Sequence, residues 1–445
     1  MLPDVALLEI FEFYVINTHK IQAWHTLVHV CRKWRNVVFG SPCRLNLRLY
    51  CGPRTPVRQT LDVWPLLPVV IQVNGADTWD NGNIIAALEH NDRISELFID
   101  SKIPSPEREE VVAALQQPFP ELKHLHFASR NETGPVVPAS FLGGSAPGLQ
   151  VLGLDRILFP GLLNLLLSST HLVHLSLWKI PHSGYISPEA MLTGLSVLTC
   201  LESLIMRFES PRSRPDRSIR RPPPRSRIIL PVLTRLLFKG VGDYLEDLVA
   251  RIDTPLLDKL TITFFHRLIF DSPQLSQFIS RTPKFKAHGT ASVDFSKYDV
   301  TVTLPQTFDG ELELKISCRQ TDWQLSSVAQ VCSSSFPQVL IPNVERIYIQ
   351  SESQWQDDIE NNQWLELFHP FTAVTDLYLS SGLTPHLAPT LQELVGERVT
   401  EVLPALQTLF LEEPVQSGSV QEAIEQFVAA RQLAGRHLAV SRWET

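Results

Sequence analysis

Eight arginines, Arg207, Arg212, Arg214, Arg217, Arg220, Arg221, Arg225 and Arg227, are gathered around Pro222-Pro223-Pro224 and several serines. Such a segment cannot pack a core. Its chemistry is that of a basic arm for phosphate, nucleic acid or an acidic protein tail, tunable by phosphorylation at Ser213 or Ser218, or else of a solvated loop. Trp323, Trp355 and Trp364 lie near Asp357, Asp358 and Glu360, a pairing of rings and carboxylates suited to a protein-contact patch or to half-buried packing. The histidine pairs His25/His29, His124/His126 and His171/His174 have no cysteine or carboxylate set at ligand spacing beside them, so the sequence assigns no metal. There is no nucleophile elbow, phosphate-cradling glycine loop or dinucleotide fingerprint, and the 20 glycines are spread singly. No catalytic residue and no cofactor are assigned, and the chain reads as a non-enzyme.

Bulk composition points the same way. Lysine and arginine total 39 against 47 aspartates and glutamates, a formal charge of -8 that recommends neither nucleic acid nor an anionic membrane as principal partner. A protein partner is expected. Six scattered cysteines, Cys31, Cys43, Cys51, Cys200, Cys318 and Cys332, form no close pair, which fits a reducing compartment. The N-terminus lacks a secretory pattern, and apolar runs such as Leu158 to Leu167 are too short to span a bilayer. The expectation is an intracellular soluble protein, cytoplasmic or nuclear.

The elements that must carry such a surface repeat. Three apolar residues spaced x, x+3, x+5 recur at Ile94/Leu97/Ile99, Leu122/Leu125/Phe127, Leu149/Leu152/Leu154, Leu172/Leu175/Leu177, Leu201/Leu204/Met206, Leu233/Leu236/Phe238 and Leu257/Leu260/Ile262. They return at Val344/Ile347/Ile349, Val374/Leu377/Leu379 and Leu406/Leu409/Leu411. Within each run they start 23 to 32 residues apart, close to the period of leucine-rich repeats. The last two residues of each set alternate inward along a short strand, and the first turns inward from the loop before it. Between strands, Ser105-Pro106, Ser187-Pro188 and Ser272-Pro273 each place a capping hydroxyl ahead of a first-turn proline. Helical stripes such as Met191/Leu195/Leu198, Leu275/Phe278/Ile279 and Leu387/Leu391/Leu394/Val395 follow. Around 285 to 335 the array is interrupted: Val300/Val302/Leu304 and Leu312/Leu314/Ile316 alternate at period two, and periodicity leaves open whether they are irregular repeats. Near the end, Ser419-Val420-Gln421-Glu422 reads as a capping box before Ile424, Phe427, Val428 and Leu433, with Gly435 as stop, a helix expected to seal the stack.

The first forty residues are different. Leu7, Leu8, Phe11, Tyr14 and Val15 mark one face of a helix starting at Pro3 or Asp4, and Leu27, Val30, Cys31, Trp34, Val37 and Val38 mark a second stripe ended by Ser41-Pro42. Helices this short bury little by themselves, so an apolar edge is left for a partner. The order Leu2-Pro3, Ile10-Phe11, Val30-Cys31-Arg32-Lys33-Trp34 resembles the F-box, over residues 2 to 43, and the chain begins directly at that motif, whereas many F-box proteins carry a leading segment. By this resemblance Leu2, Pro3, Leu8, Ile10, Phe11, Val30, Cys31 and Trp34 are the adaptor-binding positions; Leu2, Pro3, Ile10 and Phe11 would touch the adaptor, and Trp34 would pack the module's own core. The runs Arg44 to Leu49, Val63-Trp64-Pro65 and Phe427 to Gln432 are similar to the large F-box families of mushroom-forming fungi.

The expected fold class is therefore α/β: an all-helical F-box-like module over 1–43, a connecting segment and solenoid start over 44–92, an irregular leucine-rich-repeat horseshoe over 93–415 with a basic loop about 207–229, and a capping helix and tail over 416–445. The resemblance implies a substrate-recognition subunit of an SCF-type cullin-RING ubiquitin ligase, bound to a Skp-type adaptor and through it a cullin, with an unknown protein target on the repeats. Two other readings stand beside it: a repeat scaffold without a ligase role, and nucleic-acid binding through the arginine arm. The target itself is not legible, because repeat specificity lies in the side chains between the apolar positions.

Overall fold

The computed structural model describes residues 2–18, 23–40, 47–53, 55–64, 66–75, 81–101, 105–131, 134–212, 227–265, 272–285, 289–305, 311–317, 321–336, 340–351, 361–394, 396–412 and 418–443. The chain forms two compact units, Met1–Glu209 and Ser210–Thr445.

The first unit opens on three helices, α1 (Asp4–Thr18), α2 (Ala23–Val30) and α3 (Arg32–Gly40). Parallel strands then alternate with helices: β1 (Leu47–Tyr50), α4 (Val57–Val63), β2 (Val69–Gly75), α5 (Asn81–Leu88), β3 (Ile94–Ser101), α6 (Ser105–Ala114), β4 (His124–Ser129), β5 (Val151–Asp155), α7 (Leu162–Ser168), β6 (His174–Ile180), α8 (Pro188–Leu195) and β7 (Ser203–Phe208). The strands pair in sequence order, all parallel. Their register lines up Leu49, Ile71, Leu97, Leu125, Leu152, Leu175 and Leu204 in one row, and Val73, Ile99, Phe127, Leu154, Leu177 and Met206 in the next. Every one of these side chains is buried.

The first residue of eight of the ten triplets is fixed by a recurring turn. Leu122, Leu149, Leu172, Leu201, Leu233, Leu257, Val344 and Leu406 each donate their amide to the carbonyl three residues earlier. That tight turn swings the chain from the helix layer into the strand and points the leucine into the core. The ladder begins at β1, within the segment read from sequence as the connector and start of the array.

The second unit contains β8 (Ile228–Ile229), β9 (Arg235–Gly240), α9 (Gly242–Val249), β10 (Ile252–Asp253), β11 (Lys259–Phe265), α10 (Pro273–Arg281), β12 (Thr290–Phe295), β13 (Asp299–Pro305), β14 (Glu311–Ser317), α11 (Thr321–Gln330), β15 (Arg346–Ser351), α12 (Asn361–Phe368), β16 (Asp376–Leu379), α13 (Thr384–Glu393), β17 (Thr408–Leu411), α14 (Gly418–Leu433) and β18 (Ala439–Arg442). Its sheet runs β9-β11-β14-β13-β12-β15-β16-β17-β18, and β8 pairs with β10 apart from it. The open question over 285 to 335 is resolved here. Strands β12, β13 and β14 form an antiparallel meander set into an otherwise parallel sheet. The Ser296 hydroxyl accepts the amides of Tyr298 and Asp299 at the first turn, and so short a connection cannot make a parallel crossover. The inward row nonetheless continues through the meander as Phe238, Ile262, Leu314, Val302, Val293, Ile349, Leu379 and Leu411.

Caps depart from the sequence reading in two places. The Ser187 hydroxyl accepts the Ala190 amide at 3.2 Å, as expected for α8. The first amides of α10 are taken instead by Glu246 of α9: its carboxylate accepts Gln274 and Leu275 at 2.9 and 2.8 Å, a charged acceptor at the positive end of the helix. Helix α14 begins at Gly418, so Ser419 lies inside it rather than at the cap. Ile424 and Phe427 are buried, whereas Leu433 is 91% exposed and takes no part in the core. Gly435 ends the helix at φ +73, where a side chain would be strained. Arg431, fully buried, stands where the leucine stripe was expected to continue; its guanidinium donates to the carbonyls of Val399, Leu403, Pro404 and Leu406. Burial, with the Arg436 charge adding to it, pulls its pKa down from the usual arginine value, and the four carbonyls accept from the two terminal amino groups of the cation. The tail beyond is the strand β18, parallel to β17. Among the described residues, no helix is long and apolar enough to cross a membrane.

Candidate functional site

The N-terminal helices are locked together by Phe11 and Trp34, whose rings lie 4.7 Å apart at 56°. Leu7, Leu8, Phe11, Leu27, Val28, Val37 and Val38 are buried around them. Lys33 on α3 reaches back to the start of α1, donating to the Leu2 carbonyl at 2.9 Å and pairing with Asp4 at 3.2 Å. Cys31 sits between α2 and α3, and its sulfur accepts the Trp34 amide at 3.4 Å.

This packing divides the eight expected adaptor positions. Leu2, Pro3, Ile10, Val30 and Cys31 are exposed, Trp34 is half-buried, and Leu8 and Phe11 are interior. Phe11 is thus corrected from a contact residue to a core residue: its ring is spent on Trp34, and with Leu8 it fills the space between helices. Helix α1 is apolar on almost every side, with Glu9 and Glu12 as its charged residues after the first turn. Its outer surface therefore leaves Val5 64% and Phe13 70% exposed beside Leu2 at 53% and Ile10 at 47%, while α2 adds Val30 at 54%. Val5 and Phe13 escaped the sequence reading because a stripe search keeps the best face and discards the rest. A helix whose apolar residues are spread around its circumference, with only Glu9 and Glu12 charged beyond the first turn, was itself the available signal.

The strand face turned away from the buried rows is the second surface. In the second unit its central row is aromatic over β15, β16 and β17. Tyr348, Tyr378 and Phe410 face one another across β15, β16 and β17, with ring centroids 4.2 and 4.3 Å apart at 14° and 3°. Trp443, just after β18, stands edge-on to this ladder, 5.9 Å from Tyr348 at 66° and 5.6 Å from Tyr378 at 80°. Its indole N–H donates to the Leu379 carbonyl at 3.1 Å. All four rings are half-buried. Partial burial, the neighbouring Tyr348 and its hydroxyl, and Asp376 raise the Tyr378 phenol above its usual pKa.

In the first unit the same face carries charge. Arg130 grips Asp100 through two bonds of 2.8 and 2.6 Å, Lys179 lies 3.4 Å from Asp155, Arg156 lies 3.1 Å from Glu209, and His124 lies 3.4 Å from Glu96. Gly153 makes room for the His126 ring; a Cβ there would come within 2.7 Å of Nδ1. Arg207 stacks over Trp178 at 4.6 Å.

Trp364 is fully buried, packed against Phe368 and edge-on to Phe295, so it belongs to the core and not to a contact patch. The side chain of Trp323, and Trp355 with Asp357, Asp358 and Glu360, lie outside the described residues. So do Arg214, Arg217, Arg220, Arg221 and Arg225 of the arm, along with Ser213 and Ser218. Arg212 is exposed. Arg227 is corrected: it donates to the Ala250 carbonyl at 3.2 Å and sits 3.9 Å from Asp253, fastening β8 beside β10. Among the described residues no three histidine, cysteine, aspartate or glutamate side chains converge as a metal site.

No protein-family model matches this chain, and no curated protein matches it. Among solved structures it is similar to the leucine-rich repeat-containing protein LegL7 from Legionella pneumophila, at 12% sequence identity and a TM-score of 0.30, over 85% of this chain and 97% of that one. The register of its own strands and the period of its own turns make this chain an array of leucine-rich-repeat-like strand–helix units, with an antiparallel meander set among them.

Proposed function

We propose that this chain is the substrate-recognition subunit of an SCF-type cullin-RING ubiquitin ligase, gripping a Skp-type adaptor with α1–α3 and a protein target with the outward strand face. One observation carries the reading: α1 is apolar on almost every side and leaves Val5, Ile10 and Phe13 uncovered, next to Leu2 and Val30. A cluster of uncovered large apolar side chains on one surface marks a protein-contact site. Lys33 fixes the Leu2-Pro3 end of that surface, so the edge is organised before any partner arrives. The chain performs no bond chemistry in this scheme. Its contribution to rate is positioning, which raises the local concentration of a target lysine near a thioester carried by another subunit.

Titration calorimetry of the purified chain against a Skp adaptor tests this. Micromolar or tighter binding is expected, with a loss of about a hundredfold when Leu2, Ile10 and Val30 are all changed to alanine, since exposed aliphatic anchors of this kind each contribute about 1 kcal/mol or more. Absence of binding at micromolar concentration, or an unchanged affinity in the triple variant, would leave the repeat scaffold as the function and the ligase reading refuted.

A further inference from the structure

Strand β18 is hydrogen-bonded like its neighbours but packed unlike them. On β15, β16 and β17 both inward positions are filled by buried isoleucine or leucine. The register gives β18 Val440 and Arg442 at those positions; Val440 is 46% exposed and Arg442 is exposed as well. Between this strand and α14 lies a groove of about 690 Å³, its apolar lining of Leu411, Ile424, Val428, Ala429 and Val440 interspersed with Gln421, Glu425, Gln432, Ser441 and Arg442. Backbone bonds to β17 hold the segment, with Ala439 donating to Gln407 at 2.9 Å and Trp443 to Leu411 at 3.1 Å. On the outward side its one anchor of size is the Trp443 indole on the Tyr348–Tyr378–Phe410 ladder.

We infer that the aromatic ladder and the groove together form a seat for an extended segment of a partner protein, and that β18 with Trp443 occupies this seat in cis. The inference rests on the reading of the strand face as the target surface. The present occupant defines the chemistry of the incoming one. It pairs in parallel with β17, places bulky apolar residues at the positions of Val440 and Arg442, tolerates a small or polar residue at that of Ser441, and sets a tryptophan at that of Trp443. Strand alternation sends the first two into the groove and the indole onto the rings. The cis segment has the tryptophan and lacks the bulky pair. It keeps the edge covered while leaving the groove to be filled better, and a segment with both features displaces it. Gly435 ends α14 at a positive φ, and the displaced segment also carries Leu438, 2% exposed, out of the core.

The test uses the full chain and fluorescein-labelled synthetic peptides with the sequence of residues 436–445, read by fluorescence anisotropy. The native peptide binds weakly, because the cis copy competes with it. A V440L/R442L peptide binds at least about tenfold tighter, as the added buried methylenes require, and the further change W443A in that peptide removes the gain. Trp443→Ala in the chain strengthens binding of both tryptophan-bearing peptides, and Tyr378→Ala weakens it. Circular dichroism establishes that each variant is folded. Equal affinity of the V440L/R442L and V440L/R442L/W443A peptides, or no binding to either the wild-type or the Trp443→Ala chain, overturns the inference. So does a concentration-dependent dimer of the wild-type chain that Trp443→Ala abolishes, which would assign the seat to a second copy. Adaptor binding is measured on the same samples: its loss with peptide binding intact refutes the ligase reading alone, and the reverse refutes this inference alone.

Discussion

The outward strand faces of the two units are built from different chemistry on the same scaffold. In the first unit, side chains reach from strand to strand as ion pairs, Asp100 with Arg130 and Asp155 with Lys179. In the second, ion pairs persist across β11, β14 and β13, Lys259 with Glu311 and Lys315 with Asp299, but across β15, β16 and β17 they give way to stacked rings, Tyr348 on Tyr378 on Phe410. Inward, both units present the same buried rows of leucine, isoleucine, valine and phenylalanine. Burial dictates the inward choice on the strands covered by helices, β18 with Val440 and Arg442 at its inward positions being the exception. Nothing in folding dictates the outward choice, so that face is where the units differ and where specificity can reside.

The largest effect should therefore be the one the two units share. Leu152→Ala in the first unit and Leu377→Ala in the second both delete a fully buried inward side chain. Each is expected to cost about 2–5 kcal/mol, from lost burial and the cavity left behind. Hydrogen exchange resolved by unit, in increasing denaturant, would measure the two. A loss below about 1 kcal/mol in either unit would mean that its inward row is not the common structural code.

Outward changes should be smaller and unequal. Tyr378→Ala removes the middle ring of the ladder and both of its stacks, at a cost of about 2 kcal/mol for a half-buried aromatic. Arg130→Ala breaks a solvated surface pair and should cost less than Tyr378→Ala, shrinking further in high salt. Denaturant midpoints at low and high ionic strength separate the two. A salt-dependent Tyr378→Ala effect would break the contrast between rings and charges.

How much of this was readable follows from which forces are periodic. The triplets ending in Phe127, Met206 and Leu379 were legible because burial repeats with the strand and turn. The meander of β12 to β14 was visible as alternation, but its direction was not, since period two is common to parallel and antiparallel strands. At α10 the serine-proline signal marked the helix start correctly, while the cap came from Glu246, 28 residues away from Gln274, and no local rule reaches that far. The resemblance puts Phe11 on the adaptor surface, and residue type offers Trp364 as contact patch or packing; both are interior, because neighbouring rings claim them. Tyr348, Tyr378 and Phe410 share one place in the repeat, the position between the two inward residues. Aligning the triplets on that position would have exposed the ladder.

The finest distinction between the faces is in their carboxylates. Hydrogen bonds from Arg130, aided by its charge, hold the Asp100 carboxyl below the usual aspartate range against the opposing pull of partial burial. Burial, with Glu311 adding to it, raises the half-buried Glu313 carboxyl above the usual glutamate range, against Lys315, Lys259 and a weak bond from Thr261. The two groups must shift stability with opposite signs. Asp100, depressed in the fold, contributes stability that is fully present above its unfolded pKa of about 4 and lost as pH falls through the lower folded value. Glu313, raised in the fold, favours the folded state below its unfolded pKa of about 4.3, and that advantage disappears as pH rises through the higher folded value. Asp100→Asn should therefore destabilise at pH 7 and converge on the wild type in strong acid. Glu313→Gln should stabilise at pH 7 and converge on it near pH 4. After solvent screening each effect should lie below about 1 kcal/mol, so the sign of the difference across a pH series of denaturant melts is the measurement. If both variants shift the midpoint in the same direction at neutral pH, the carboxylates of the two faces are alike, and the contrast rests on the rings alone.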